Sequence, residues 1–318
     1  GCASADLLVR AGVGRVTLID RDLVELTNLQ RQTLFGEAEI GEPKATAAAA
    51  RLRAVNSGVR IDPLILDLEA GNAQHLARDL PLAAPSTLLV DGTDNLSTRY
   101  LLNDLSVRHG VPFLYGGVVA TRGMQATFVP PEGPCLRCVF PEPGEMGEGD
   151  TCDTAGVLGP AVAIVSAAQA ADAIKILTGN GGLLSGTLLE FDLWRNARRR
   201  LELAAFAREK SSCPCCGLRR FEFLEGSRSV GPARLCGQNA VQVTPSRRVD
   251  ATARVVDFAA LERRLAPHAA VTRSAFFLKA ALHEERLQLT LFADGRALVH
   301  GTSDAGRARA VYARYIGD

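Results

Sequence analysis

Apolar residues along the first two hundred positions form short continuous runs that alternate with longer segments of helical periodicity. Short apolar runs are typical of strands buried in a parallel sheet, whereas longer amphipathic segments are typical of helices. We therefore expect strands at 16–20, 60–66, 86–92, 112–118, 124–130 and 187–194, and helices at 1–12, 43–56, 72–80, 97–110 and 159–179. This order predicts an α/β fold with a Rossmann-like, doubly wound and mostly parallel sheet.

The last hundred residues follow a different pattern. Apolar and polar residues alternate on both sides of Asp294-Gly295 within 285–301, which predicts a β-hairpin. Amphipathic helices are expected before and after it, at 257–268 and 304–316. The chain is therefore divided into a first domain at 1–217 and a small α+β domain at 218–318.

The composition of the chain limits the kinds of binding partner that we expect. The chain has 318 residues, 47% of them hydrophobic, with 36 basic and 35 acidic residues. This balance gives no general attraction to nucleic acid or to an anionic membrane. The most apolar helical segment, 159–179, carries Asp172 and Lys175, so it is interpreted as a core or interface helix and no membrane span is expected. A cytoplasmic protein is the expectation.

Charged side chains follow the predicted strands at points that share one edge of the sheet. Asp20 ends one strand, Arg31 and Lys44 lie between that strand and the next helix, and Asp94 follows a later strand. Ligands of open α/β sheets bind at the carboxyl ends of the strands, where an acid suits ribose hydroxyls. Each residue also has an ordinary alternative, as a turn or helix cap for the acids and as a solvated cation for Arg31 and Lys44.

Two cations, a ribose acid and one more carboxylate suit nucleotidyl transfer. Attack on the α-phosphate of ATP builds negative charge on phosphate oxygens and on pyrophosphate, which Lys44, Arg31 and Mg²⁺ can stabilise. Asp94 is a suitable magnesium ligand. A carboxylate nucleophile is already ionised at neutral pH, so the reaction needs no general base.

Cysteines form a second set of candidate functional residues. Cys135-x-x-Cys138 and Cys213-x-x-Cys216 supply four thiolates, which suits a structural, tetrahedral Zn²⁺ site with every position filled by protein. Cys215 is a spare that could compete as a ligand. The alternative is a set of buried thiols without a metal.

Six short motifs occur in order over about residues 1–217: DRDLVELTNLQRQ, GEPK, VDGTDN, CLRC, DTCDTAGVLGP and CPCCG. Together they resemble the ThiF/MoeB branch of the ubiquitin-activating enzyme superfamily. The resemblance implies ATP-dependent adenylation of the C-terminal glycine of a ubiquitin-like sulfur carrier. The carrier would be ThiS-like in thiamine synthesis or MoaD-like in molybdenum cofactor synthesis. A homodimer and a sulfurtransferase donor are implied as further partners.

The resemblance also implies roles for individual residues. Nucleotide contacts are expected from Gly1, Asp20, Asn28, Gln30, Arg31, Lys44, Asp94 and Asn95, with Asp20 on ribose and Asp94 beside Asn95 on the magnesium side. Catalytic roles are expected for Arg31, Lys44, Asp94 and Cys152. Cys152 is either a bystander thiol or, as in some relatives, the site of a covalent thioester or persulfide intermediate.

The beginning of the chain departs from the family pattern. The first strand and the Gly-x-Gly-Gly-x-Gly loop are absent save for Gly1, so we expect this sequence alone to bind ATP poorly and to fold poorly. Two other functions remain open: an inactive carrier-binding scaffold, and a nicotinamide-dependent oxidoreductase. The presence of Arg31, Lys44 and Asp94 disfavours the first, and the cysteine pairs disfavour the second.

Overall fold

The computed structural model describes residues 1–80, 82, 86–143, 156–228, 240–243, 256–274, 276–293 and 295–317. Two compact units divide the chain, Gly1–Val230 and Gly231–Asp318. The first unit continues past residue 217, where the sequence had suggested a boundary. Its extension is held by Phe221, Phe223 and Leu224, whose side chains are buried in the hydrophobic core of that unit.

Helices and strands of the first unit follow the predicted alternation. Its helices are α1 (Cys2–Arg10), α2 (Lys44–Val55), α3 (Ala70–Asp79), α4 (Leu96–His109), α5 (Leu136–Val139) and α6 (Gly159–Leu177). Its strands are β1 (Arg15–Ile19), β2 (Arg60–Leu64), β3 (Leu89–Val90), β4 (Phe113–Val119), β5 (Arg122–Phe128), β6 (Thr187–Asp192) and β7 (Ala197–Glu202). The α/β class predicted from the sequence is confirmed.

Strand pairing in this unit mixes parallel and antiparallel contacts. β1 pairs with β2 in parallel. A five-stranded sheet has the order β3-β4-β5-β6-β7, with β3 and β4 parallel and the remaining pairs antiparallel. Short turns join β4 to β5 and β6 to β7, and such turns can connect only antiparallel neighbours. β7 was not predicted, because half of its residues are arginine and it lies at the exposed edge of the sheet.

Helix α6 is the one described helix that is long and apolar enough to cross a bilayer, judged by length and composition. In this unit it behaves as a core helix. Ala161, Val165, Ala170 and Ala173 are buried among the strands and the neighbouring helix. The expectation of a core or interface helix therefore agrees with its packing.

The second unit is a small α+β domain. Its elements are β8 (Ala240–Val243), α7 (Phe258–Leu265), β9 (Ala269–Arg273), β10 (Phe277–Leu282), β11 (Leu287–Phe292), β12 (Ala297–His300) and α8 (Ala305–Tyr315). The strands form an antiparallel sheet in the order β8-β12-β11-β10-β9. β11 and β12 pair as the predicted hairpin; Asp294 of its turn lies outside the described residues.

Candidate functional site

An acidic turn at the end of β1 holds a buried lysine. Asp20 follows β1, and its Oδ1 accepts the backbone N–H of Asp22 at 2.9 Å. Asp22 contacts the first residue of α2, since its Oδ2 lies 3.2 Å from Nζ of Lys44 and its backbone oxygen accepts the Lys44 N–H at 2.9 Å. Lys44 is only 8% exposed, so its ammonium group is fixed at the carboxyl edge of the parallel strands.

Charges at this edge perturb one another. Burial raises the pKa of Asp20 to about 6, and the Asp22 carboxylate adds to the rise while Lys44 opposes it. Burial alone would lower the pKa of Lys44, but Asp22 and Asp20 outweigh that effect and raise it above its ordinary value. The Asp94 carboxylate raises both pKa values further, so Asp20, Lys44 and Asp94 lie within electrostatic range of one another.

A polar loop after β3 presents Asp94. The next residue, Asn95, caps α4: its Oδ1 accepts the backbone N–H groups of Ser97 at 2.9 Å and Thr98 at 3.4 Å. The sequence left open whether Asp94 serves as a cap, and the structure gives that role to Asn95. Asp94 is exposed, so its carboxylate is accessible to a ligand.

A buried arginine that the sequence analysis missed fixes the shape of this loop. Arg99 donates from Nε to Oδ2 of Asp91 at 2.7 Å and from Nη2 to the carbonyl oxygens of Thr93 at 2.8 Å and Gly116 at 3.1 Å. Burial alone would lower the pKa of Arg99, but the Asp91 carboxylate raises it above its ordinary value. The available signal was an arginine in the first turn of a predicted helix, eight residues after a strand-end aspartate.

Helix α6 reaches the same loop through Gln169, which the sequence analysis also missed. Its Nε2 donates to the carbonyl oxygens of Asp91 at 2.8 Å and Leu114 at 3.0 Å, and its Oε1 accepts the hydroxyl of Ser4 in α1 at 2.9 Å. Gly1 also packs here, because a Cβ on Gly92 would lie 2.6 Å from the Gly1 Cα. Only glycine permits that approach at position 92.

The connection between β1 and α2 places the other predicted phosphate contacts. Asn28 is buried, and its Oδ1 accepts the backbone N–H of Glu25 at 3.2 Å, so it shapes the loop. Arg31 donates from Nη1 to the carbonyl oxygen of Thr27 at 3.0 Å. A Cβ on Gly159 would lie 2.8 Å from the Gln30 carbonyl oxygen, so this segment packs against the start of α6. In the part of the chain that the structure describes, Arg31 forms no ion pair with Asp20 or Asp94.

Four predicted thiol ligands converge in the core of the first unit. The Sγ atoms of Cys135, Cys138, Cys213 and Cys216 all lie within 4.8 Å of one another. Individual distances are 3.7 Å from Cys135 to Cys213 and 3.4 Å from Cys138 to Cys216. Four sulfurs at about 2.3 Å from a tetrahedral Zn²⁺ are separated by about 3.8 Å, so the arrangement fits that ion.

Cys152, the remaining predicted catalytic residue, lies outside the described residues. Cys215, the spare thiol within residues 213–216, is fully buried beside the four-cysteine cluster.

Comparisons with known proteins match either most of the first unit or the whole chain. A family model described as the ThiF family matches residues 1–215. The sulfur carrier protein ThiS adenylyltransferase of Bacillus subtilis is 41% identical over 323 residues, covering 100% of this chain and 90% of the relative. The sulfur carrier protein adenylyltransferase of Thermus thermophilus is 40% identical over 215 residues, covering 66% of this chain and 76% of the relative.

Among solved structures, E. coli MccB crystallised with ATP is similar to this chain with a TM-score of 0.56 and 21% identity. The match covers 68% of this chain and 64% of MccB. At this identity the likeness establishes the fold.

Proposed function

The chain belongs to the ThiF family, and we propose that it uses ATP to adenylate the C-terminal glycine of a ubiquitin-like sulfur carrier. The enzyme is a sulfur carrier protein adenylyltransferase, and its product is an acyl-adenylate ready to receive sulfur. The observation that supports the site most directly is the electrostatic coupling of Asp20 after β1, Lys44 at the start of α2 and Asp94 after β3.

Each side chain has a chemical role in this proposal. The carrier carboxylate attacks the α-phosphorus of ATP, a new O–P bond forms, and the bond to pyrophosphate breaks. Lys44 and Arg31 balance the charge that grows on the phosphate oxygens. The Asp20 carboxylate accepts from the ribose hydroxyls. Asn28, Gln30 and Gly1 contribute to the walls of the nucleotide site.

A divalent cation has a suitable place beside Asp94. Mg²⁺ prefers oxygen ligands, and the exposed Asp94 carboxylate would hold it next to the loop that Asn95 and Arg99 shape. Bound there, the ion would neutralise negative charge on the departing pyrophosphate.

The four-cysteine cluster is assigned to a structural Zn²⁺. Cys135, Cys138, Cys213 and Cys216 would fill a tetrahedral site, so no position remains for water or substrate. The ion would join two segments of the chain that are far apart in sequence and would stabilise the fold rather than take part in adenylation.

The carrier is assigned as ThiS-like, in thiamine synthesis. A relative that matches the whole chain, including the second unit, is named for ThiS. A MoaD-like carrier of molybdenum cofactor synthesis is the competing substrate. Sulfur would then come from a separate sulfurtransferase donor in the cytoplasm.

A homodimer is proposed through α6. One face of this helix is buried in the unit, and the other exposes an apolar stripe: Ala163, Ile164, Ala167, Ala171 and Ile174. An exposed contiguous apolar stripe on a core helix is typical of an association surface.

Mass spectrometry of the carrier tests the substrate directly. The full-length protein is incubated with Mg·ATP and, separately, a ThiS-like or a MoaD-like carrier, and the intact carrier mass is measured. We expect the mass of an adenylylated C-terminus on the ThiS-like carrier and no change on one lacking its terminal glycine. Adenylylation of the MoaD-like carrier alone would reassign the substrate, and modification of neither would contradict the proposal.

A further inference from the structure

One face of α4 lies against both cysteine segments, residues 135–138 and residues 213–216. Tyr100 donates its hydroxyl to the carbonyl oxygen of Phe140 at 2.9 Å, two residues beyond Cys138. One turn later, Asn103 is 1% exposed and contacts both segments at once. Its Oδ1 accepts the backbone N–H of Leu136 at 2.9 Å, and its Nδ2 donates to Sγ of Cys215 at 3.3 Å.

The orientation of the Asn103 amide follows from these partners. A backbone N–H can only donate, so the atom facing Leu136 must be the amide oxygen. The NH₂ group is then left facing Cys215 Sγ, which acts as the acceptor. Asn103 is therefore a contact that the two segments share, although it is not among the four converging thiol ligands.

The second cysteine segment offers more thiols than a tetrahedral site needs. Residues 213–216 contain Cys213, Cys215 and Cys216, but the converging group with Cys135 and Cys138 includes only Cys213 and Cys216. All three lie close together in sequence, so spacing alone does not choose between them. Two adjacent residues of α4 contact Cys215: Asn103 donates from Nδ2 to its Sγ, and the Asp104 side chain also forms a hydrogen bond with it.

We propose that Asn103 is a positioning residue for the metal site, which joins the two cysteine segments and holds Cys215 outside the ligand set. This inference rests on the proposed metal site. Residues that orient metal ligands through hydrogen bonds commonly change metal affinity or activity by roughly 10–100-fold when substituted. Asn103 contacts the backbone N–H of Leu136, which lies between Cys135 and Cys138. It also contacts the thiol of Cys215, which lies beside Cys213 and Cys216 in the sequence.

Asn103→Asp isolates the amide donor. The isosteric carboxylate keeps an acceptor for the Leu136 N–H but loses the donor to Cys215 and brings negative charge toward the thiolates. Ser106→Ala is the matched control, because Ser106 is equally buried on α4 and donates to the Val111 carbonyl oxygen, away from the cysteines. Bound zinc per chain and the rate of zinc release to a chromophoric chelator are measured on full-length protein.

We expect Asn103→Asp to release zinc roughly 10–100-fold faster than the wild type, and Ser106→Ala to release it at the wild-type rate. Equal release from the Asn103→Asp and wild-type proteins would overturn the inference. A wild-type protein without zinc would instead remove the proposed metal site on which the inference rests.

Cobalt spectra provide a second test that does not depend on an Asn103 variant folding. Co²⁺ replaces zinc in the wild type and in Cys216→Ser, and the sulfur-to-cobalt charge-transfer absorption is compared. If Asn103 keeps Cys215 out of the ligand set, the charge-transfer absorption of Cys216→Ser falls by the contribution of one thiolate ligand. An undiminished four-thiolate spectrum in Cys216→Ser would show that Cys215 enters freely, and would overturn the exclusion.

Discussion

At the scale of single residues, the candidate site is shaped by neighbours close in sequence. Asp22 was not among the predicted residues, yet it fixes both Asp20, through its backbone N–H, and Lys44, through its carboxylate. The acid at position 20 could be predicted because it ends a strand. The role of Asp22 could not, because a second acid in a turn has no distinctive pattern.

The raised pKa of Asp20 predicts a pH dependence of ATP binding. Ribose hydroxyls donate to an ionised carboxylate, and Asp20 becomes protonated as the pH falls through about 6. We expect the KM for ATP to rise below that pH while kcat changes less. Steady-state kinetics between about pH 5 and 8 measure this. Asp20→Asn should have a raised KM without the inflection; an inflection of the same size in Asp20→Asn would assign the pH dependence to another group.

The raised pKa of Asp20 also makes the free energy of unfolding depend on pH. Asp20 is protonated more readily in the folded than in the unfolded protein, since its usual pKa is 3.8 and its folded value is about 6. Ionisation therefore costs stability as the pH rises from about 4 to 6, and that cost is complete above pH 6. Denaturant unfolding of Asp20→Asn should then show higher stability than the wild type at neutral pH and a smaller difference near pH 4. A destabilised Asp20→Asn at neutral pH would contradict this expectation.

At the scale of elements, α4 supports two sites. Its first turn carries Arg99, which holds the Asp91–Asn95 loop, and its middle carries Asn103, which contacts both cysteine segments. The periodicity of the sequence predicted a helix here but gave no partner for these polar side chains. Their partners are backbone atoms and thiols on other elements, which local patterns do not specify.

Arg99→Lys tests whether this helix sets the magnesium side of the site. Lysine keeps the charge near Asp91 but cannot reproduce the planar fork that also reaches Thr93 and Gly116. We expect unfolding to become easier by about 1–3 kcal/mol and the Mg²⁺ concentration for half-maximal activity to increase. Arg108→Lys, on the same helix over the Phe221 ring, is the control. An unchanged Mg²⁺ requirement in a folded Arg99→Lys protein would contradict this role.

The apolar stripe of α6 gives an element-scale prediction about assembly. Ile174 is 37% exposed within the stripe, and a glutamate there would place a charge in the proposed interface. Sedimentation of Ile174→Glu should show a monomer at concentrations where the wild type is a dimer. Leu218→Glu, at a more exposed apolar position of the same unit, should leave the dimer intact. A dimeric Ile174→Glu would exclude this helix as the interface.

At the scale of the whole molecule, the four converging cysteines bring together two segments of the chain that are distant in sequence. Removing the proposed zinc ion should leave four thiols packed in the core without the ion that they would coordinate. We expect chelator treatment to lower the Tm of the full-length protein and zinc to restore it. Cys138→Ser should behave like the chelated protein and no longer respond to zinc. An identical Tm before and after removal of bound zinc would contradict a structural role.

Much of the architecture could be predicted from the sequence, and the reasons differ between regions. The strand and helix alternation of the first unit and the β11–β12 hairpin have clear periodicity. Strand β7 lacks an apolar face to mark it, and β9 and β10 carry no turn signal comparable to Asp294-Gly295. The cysteine pairs predicted the four thiols that converge, whereas Gln169 and Asn103 act through contacts that only the tertiary fold creates.

Carrier-dependent ATP–pyrophosphate exchange is the most direct measurement of the reaction. Reversible adenylation returns labelled pyrophosphate to ATP only when a carboxylate acceptor and the phosphate-binding cations are both present. We expect exchange by the full-length protein with a ThiS-like carrier and Mg²⁺, and a loss of roughly 100–1,000-fold in Lys44→Ala. No exchange with any sulfur carrier, or undiminished exchange in Lys44→Ala, would contradict an adenylyltransferase centred on this lysine.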